Sequence, residues 1–191
     1  MFAAALAACN GSQASPGDAP GSSHAPSPAS SVVSIGVTLG TCSDRAQCER
    51  ECDAGSADRC RRLAATYAFG EGVAKDEARA TDLYERACDM KDAPACVFAG
   101  QMHEYAHGVP KDDAKATSLY EKACSLGWAA GCYNQAIMLE NGRGVALDRD
   151  KAATLYDAAC AAGAKPACEK AKGLRSAPSR DDFPAPPDGG R

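Results

Sequence analysis

Eight cysteines of this chain fall on a fixed beat: Cys52 and Cys60, Cys88 and Cys96, Cys124 and Cys132, Cys160 and Cys168. The members of each pair stand eight residues apart, and each pair repeats the one before it at a period of 36. Composition alone does not generate such a register. A period of this length marks an array of supersecondary units, each too small to fold alone and each packed only on its neighbours.

The residues between the cysteines keep the same period. Superposing Cys60 to Ala95, Cys96 to Gly131 and Cys132 to Ala167 brings Gly72 onto Gly108 and Gly144, and Val73 onto Val109 and Val145. Asp76, Asp112 and Asp148 coincide, as do Leu83, Leu119 and Leu155, then Tyr84, Tyr120 and Tyr156. Three full units are present, with half units at Cys42 to Arg59 and Cys168 to Gly173.

Each unit reads as two helices. In its second half, Ala80, Leu83, Tyr84 and Ala87 stand at i, i+3, i+4 and i+7, one apolar stripe behind an Asp76 suited to capping the helix start. Ala116, Leu119, Tyr120, Ala123 and Ala152, Leu155, Tyr156, Ala159 repeat that stripe. In the first half, Cys60, Leu63, Ala64 and Tyr67 have helical spacing, and the run ends at Gly70 and Gly72, where glycine admits the left-handed conformation that closes a helix. The spacing predicts an all-α solenoid of about three and a half 36-residue helix-turn-helix repeats.

The pattern of Leu63, Ala64, Tyr67, Gly70, Gly72, Val73, Asp76, Ala80, Tyr84 and Ala87 resembles the Sel1-like repeat, a relative of the tetratricopeptide repeat. The cysteine at each helix end resembles the Helicobacter cysteine-rich proteins in particular. The likeness covers about residues 42–172. Gln135 replaces the usual leucine, Ala106 one glycine, and His103 and Leu139 the first-helix tyrosine. The resemblance implies that each cysteine pair joins the second helix of one unit to the first helix of the next. Seven intervening residues are enough for a helix end, a tight turn and a helix start, and closing so short a loop contributes roughly 2–3 kcal/mol per bridge. So many paired cysteines point to an oxidising compartment. Cys42 and Cys48 remain as a pair that caps the array, although Cys42, Cys48, Cys52 and Cys60 also allow other connectivities and a metal clasp.

The eleventh cysteine is Cys9. It follows Leu6, Ala7 and Ala8, a match to the lipobox at which bacterial lipoproteins are cleaved and acylated. The apolar segment before it is short and carries no Lys or Arg, so a start codon placed further upstream is expected. Nearly every residue from Asn10 to Ser31 is Ser, Pro, Gly or Ala, a composition that buries no core and acts as a tether with a span of ~26 Å. The expected organisation is a truncated lipoprotein signal at 1–8, a lipidated cysteine and tether at 9–41, the repeat domain at 42–173 and a Pro-rich disordered tail at 174–191. No stretch is long and apolar enough to span a bilayer. A net charge of -4 without a basic cluster argues against nucleic acid and against electrostatic membrane binding. The expected localisation is the bacterial cell envelope, with lipid as the membrane contact.

His103, Glu104 and His107 spell His-Glu-x-x-His, which on one helix would place two imidazoles to bind zinc with the glutamate as general base. The register argues otherwise, because His103 fills the packing slot of Tyr67 and Leu139, and His107 the variable loop site of Glu71 and Arg143. No metal, cofactor or catalytic residue is assigned. The Helicobacter resemblance also implies a β-lactamase or penicillin-binding activity, kept as the alternative. No serine is followed at the third position by lysine, and neither Lys-Thr-Gly nor Ser-Asp-Asn occurs.

The leading functional reading is a scaffold whose concave face binds an envelope protein or peptide. By analogy with the tetratricopeptide groove, the second, sixth and ninth places of each unit would face the partner. These are Arg61, Ala65 and Ala68, then Val97, Gln101 and Glu104, then Tyr133, Ile137 and Glu140. Val97, Tyr133 and Ile137 are the expected apolar anchors, and all are expected to point out of the core.

Overall fold

A computed structural model describes residues 41–176. Cys9, the tether, the run from Val32 to Gly40 and the tail beyond Ser176 lie outside the described residues. Among the described residues there are eight helices and no strand: α1 (Arg45–Asp53), α2 (Ala57–Phe69), α3 (Glu77–Asp89), α4 (Ala93–Glu104), α5 (Asp113–Ser125), α6 (Ala129–Asn141), α7 (Arg149–Ala161) and α8 (Lys165–Ser176). Each helix packs on the next, and α4 also touches α6. The array is therefore a stack of α2/α3, α4/α5 and α6/α7 hairpins, closed by α1 before and α8 after. The last helix runs past Gly173, and Leu174 packs on the core there.

Local chemistry starts and stops these helices. The carboxylates of Asp76, Asp112 and Asp148 accept the backbone N–H three residues on, from Arg79, Lys115 and Lys151, and so satisfy a donor that a helix start leaves open. The N–H groups of the same aspartates donate to the carbonyls of Tyr67, His103 and Leu139, which ties each second helix to the end of the first. Gly70 and Gly142 close α2 and α6 in the left-handed conformation, at φ 71° and 64°. In the middle unit Ala106 holds the equivalent place at φ 59°. A Cβ in that region is unfavourable, so alanine strains the turn that glycine relaxes.

The core is narrow and built from small residues. Ala80, Ala87, Ala116, Ala123, Ala152 and Ala159 are fully buried, and the rings of Tyr84, Tyr120 and Tyr156 fill the space between hairpins. One contact sets the distance between units. A Cβ on Gly108 would lie 2.3 Å from the Ala78 nitrogen, and one on Gly144 2.2 Å from the Asp113 carbonyl carbon. The loops after α4 and α6 thus rest backbone to backbone on the starts of α3 and α5. Thr81 and Thr117 stitch the same seam, their hydroxyls donating to the carbonyls of His107 and Arg143.

Five disulfides join Cys52 to Cys60, Cys88 to Cys96, Cys124 to Cys132, Cys160 to Cys168, and Cys42 to Cys48. The first four link the last turn of one second helix to the first turn of the next first helix, with Cα atoms 4.4 to 4.9 Å apart. The fifth folds the chain before α1 back onto that helix.

Ala106→Gly is expected to raise stability by about 1 kcal/mol by removing the left-handed penalty at a position already in that conformation. Thermal unfolding of the oxidised protein checks this; an unchanged or lowered Tm would show that the turn is not held there.

Candidate functional site

The three His-Glu-x-x-His residues go to separate partners. Helix α4 ends at Glu104, so His107 lies past it in the following loop. His103 Nε2 lies 2.6 Å from Glu85 Oε1. One unit earlier, the Tyr67 hydroxyl donates to Glu49 Oε1 at 3.1 Å. His103 and Tyr67 share a register position, as do Glu85 and Glu49, so the imidazole fills the tyrosine's part in a contact between helices. A cation completes each pair: Lys115 lies 2.7 Å from Glu85, and Arg79 lies 3.4 Å from Glu49, stacked 4.2 Å from the Tyr67 ring centroid. His107 Nδ1 stands 3.6 Å from Glu77, while Glu104 turns to Tyr120 and Arg143. Among the described residues no group of three or more His, Cys, Asp or Glu is placed to hold a metal ion.

The residues expected to form an exposed recognition face divide into two sets. Gln101, Ile137, Glu140 and Ala68 are half-buried, but Arg61, Ala65, Val97, Glu104 and Tyr133 are buried. Ala65 is fully enclosed, and Val97 belongs to the main core cluster. The Tyr133 ring is 6% exposed and packs edge-on to Tyr156, 5.4 Å between centroids. Arg61 is drawn in by carboxylates, its Nη2 2.5 Å from Asp58 and its Nε 3.1 Å from Asp92, the residue that caps α4. The expectation that these five point out of the core is corrected. Each first helix is overlapped by its neighbours, so positions read as solvent-facing from one helix alone are covered by the next.

Glu104 anchors a buried polar cluster between the second and third units. Its Oε2 accepts from the Tyr120 hydroxyl at 2.6 Å and its Oε1 from Arg143 at 2.6 Å, while Arg143 also bridges to Asp113 at 2.8 Å. Lys111 reaches Asp113 at 3.2 Å. One unit on, Glu140 accepts from the Tyr156 hydroxyl at 2.7 Å and faces Lys170 at 3.3 Å. Burial, and then the neighbouring glutamates, push the Tyr120 and Tyr156 hydroxyls above their ordinary range. Burial alone would lift the Asp113 and Glu85 carboxyls, but hydrogen bonds from Arg143 and Lys111, and from His103 and Lys115, outweigh it and hold both below the usual carboxylate range.

Between the first and second units the corresponding place is open. A cavity of about 460 Å³ lies among α2, α3 and α4, lined by Ala68, Phe69, Tyr84, Phe98, Met102 and Tyr105, with Lys75, Glu77, Gln101 and His107 completing its walls. Phe69 and Tyr105, one period apart, are 58% and 42% exposed beside it. The Tyr84 ring packs 5.2 Å from Phe98. This opening was not legible from the first-helix positions alone. Its signal in the sequence is the alanine at 68, where the two later units carry glutamate.

A family model for the Sel1 repeat matches residues 60–92, 93–128 and 129–163. The chain is similar in structure to a Sel1 repeat protein from Oxalobacter formigenes, with a TM-score of 0.62 at 26% identity over 67% of this chain and 96% of that one. It is similar to a protective antigen present in uropathogenic Escherichia coli strains and displaying an SLR fold, with a TM-score of 0.60 at 28% identity over 63% of this chain and 26% of that one. A likeness of fold extends to cysteine rich protein B of Helicobacter pylori, with a TM-score of 0.53 at 22% identity over 65% of this chain and 95% of that one. No curated protein matches the chain by sequence.

Because the Glu85 and Asp113 carboxyls titrate lower when folded than when unfolded, their contribution is fully present above the unfolded carboxylate value of about 4 and is lost as pH falls through the depressed folded values. Melting curves between about pH 3 and 7 should show a Tm that is level above pH ~5 and falls below pH ~4. Glu85→Gln should reduce that fall; an identical acid limb in the variant would remove Glu85 from the cause.

Proposed function

The chain belongs to the Sel1 repeat family, and from that premise we propose that it is a non-catalytic scaffold of the bacterial cell envelope that holds a protein or peptide partner on the face lined by its first helices. The observation that carries this reading is the opening between the first two units, where an aromatic and aliphatic lining meets solvent between Phe69 and Tyr105. Exposed aromatic side chains flanking a pocket on an otherwise polar surface are the usual composition of an interface anchor site. The bridges support the reading from the other side, since a rigid array presents its face without an ordering cost on binding.

Five disulfides fit an oxidising compartment. Among the described residues no helix is long and apolar enough to cross a membrane. The proposed link to the membrane is acylation of Cys9 at the lipobox Leu6-Ala7-Ala8-Cys9. Palmitate incorporation should be lost in Cys9→Ala; labelling that persists in the variant overturns the anchor.

Phe69→Ala with Tyr105→Ala should release the partner while leaving the helical array and the five bridges in place, because both side chains reach the surface. The measurement is affinity capture from envelope extract with oxidised wild-type and double-variant protein, followed by mass spectrometry. The same proteins recovered with both baits would count against this face.

A further inference from the structure

The three parts of the buried cluster Glu104, Tyr120 and Arg143 have register counterparts one unit earlier in Ala68, Tyr84 and His107, and all three line the cavity between α2, α3 and α4. The comparison shows what the first unit lacks. In the second unit two basic groups, Lys111 and Arg143, serve two carboxylates, Asp113 and Glu104. In the first, Lys75 at 2.7 Å and His107 at 3.6 Å both turn to one carboxylate, Glu77. The second carboxylate is absent because residue 68 is alanine.

The tyrosine tells the same story. Tyr120 and Tyr156 each donate to a glutamate of the preceding first helix. Tyr84 keeps the register place, buried and packed on Phe98, with the Arg61 guanidinium as the charge that acts on it, but no side-chain hydrogen bond reaches its hydroxyl among the described residues. A buried phenol at a largely apolar opening, where Lys75 and His107 share the single carboxylate of Glu77, is a recognition site for a further acidic group on an apolar stem.

We propose that this cavity binds a glutamate side chain of a partner peptide, its carboxylate taking the place filled by Glu104 and Glu140 in the later units and accepting from the Tyr84 hydroxyl and His107. A peptide suits the opening better than a free anion for two reasons. The lining is apolar, so the methylene stem of the glutamate gains from burial there. Phe69 and Tyr105 stand exposed at its sides, where apolar residues flanking the glutamate would pack. The volume lies within the range of about 300–1,000 Å³ common to ligand sites. The proposal rests on the scaffold reading and names the chemistry that its partner presents.

The test uses the full-length oxidised protein and two probes, N-acetyl-leucyl-glutamyl-leucine amide and its glutamine counterpart, titrated by NMR. The glutamyl peptide should give saturable shifts at the amides of Ala68, Phe98 and Met102, and the glutamine peptide should bind at least about tenfold more weakly, as expected for a hydrogen bond to a charged group. Ala68→Glu, which supplies the missing carboxylate from the chain itself, should raise Tm and abolish peptide binding. Tyr84→Phe keeps the ring and should weaken the glutamyl peptide while leaving the glutamine peptide unchanged, which holds the test open if Ala68→Glu does not fold. Equal binding of the two peptides, no saturable shift with the glutamyl peptide, or full binding by Ala68→Glu overturns the proposal. Envelope capture read in parallel separates the two claims: capture that survives in Ala68→Glu overturns the site and leaves the scaffold standing, whereas glutamyl-peptide binding without any envelope partner supports the site and removes the scaffold.

Discussion

Everything in this array depends on the joint between one unit and the next. A 36-residue hairpin built on alanines and one or two buried tyrosines has too little apolar surface to hold itself together, so each unit is stable only against its neighbours. Two constraints act at that joint. The disulfide from the end of one second helix to the start of the next first helix limits how far the hairpins can separate in the unfolded chain. The glycine of each following loop, at 108 and 144, then lets backbone meet backbone, so the spacing in the folded state leaves no room for a side chain.

With the spacing set by covalent bonds and backbone, side chains at the joint vary within a common geometry. Tyr67 and His103 make the same kind of bond to Glu49 and Glu85 with different chemistry. Arg86 reaches Asp53, and one period later Lys122 reaches Asp89. Such exposed pairs contribute little to stability individually, which is why substitution between them is tolerated. The Glu104 cluster differs because it is buried, and a buried carboxylate must be fully paired to be tolerated at all. Where alanine takes its place at 68, the pairing demand disappears and the volume opens.

The fold was legible in the sequence because its determinants are local and periodic. Asp76, Asp112 and Asp148 cap the helices they precede, Gly70 closes the helix it follows, and the tyrosine stripe of the second helices faces the core. The proposed binding face was not legible to the same degree, since exposure on a first helix depends on how the next helix crosses it. Tyr133 and Val97 look free on their own helices and are covered in the stack. Ala68 appears in the sequence as an unremarkable small residue on a helix face; its meaning comes from Tyr84, sixteen residues on in the next helix, whose counterparts bond to glutamate. That relation needs three-dimensional register.

The shortness of the bridges has a consequence for how the chain reaches this state. From Cys88 onward, the nearest cysteine in sequence is the native partner of every cysteine, and each closes a loop of only eight residues. Loop closure favours near neighbours, so random oxidation of a chain emerging into an oxidising space already selects the correct pairs, hairpin by hairpin, in the order of synthesis. The exception is the start, where Cys48 and Cys52 sit one turn apart on α1, closer to each other in sequence than either is to its partner. Scrambling by disulfide exchange is therefore confined to the first helix, and the need for an isomerase is concentrated there.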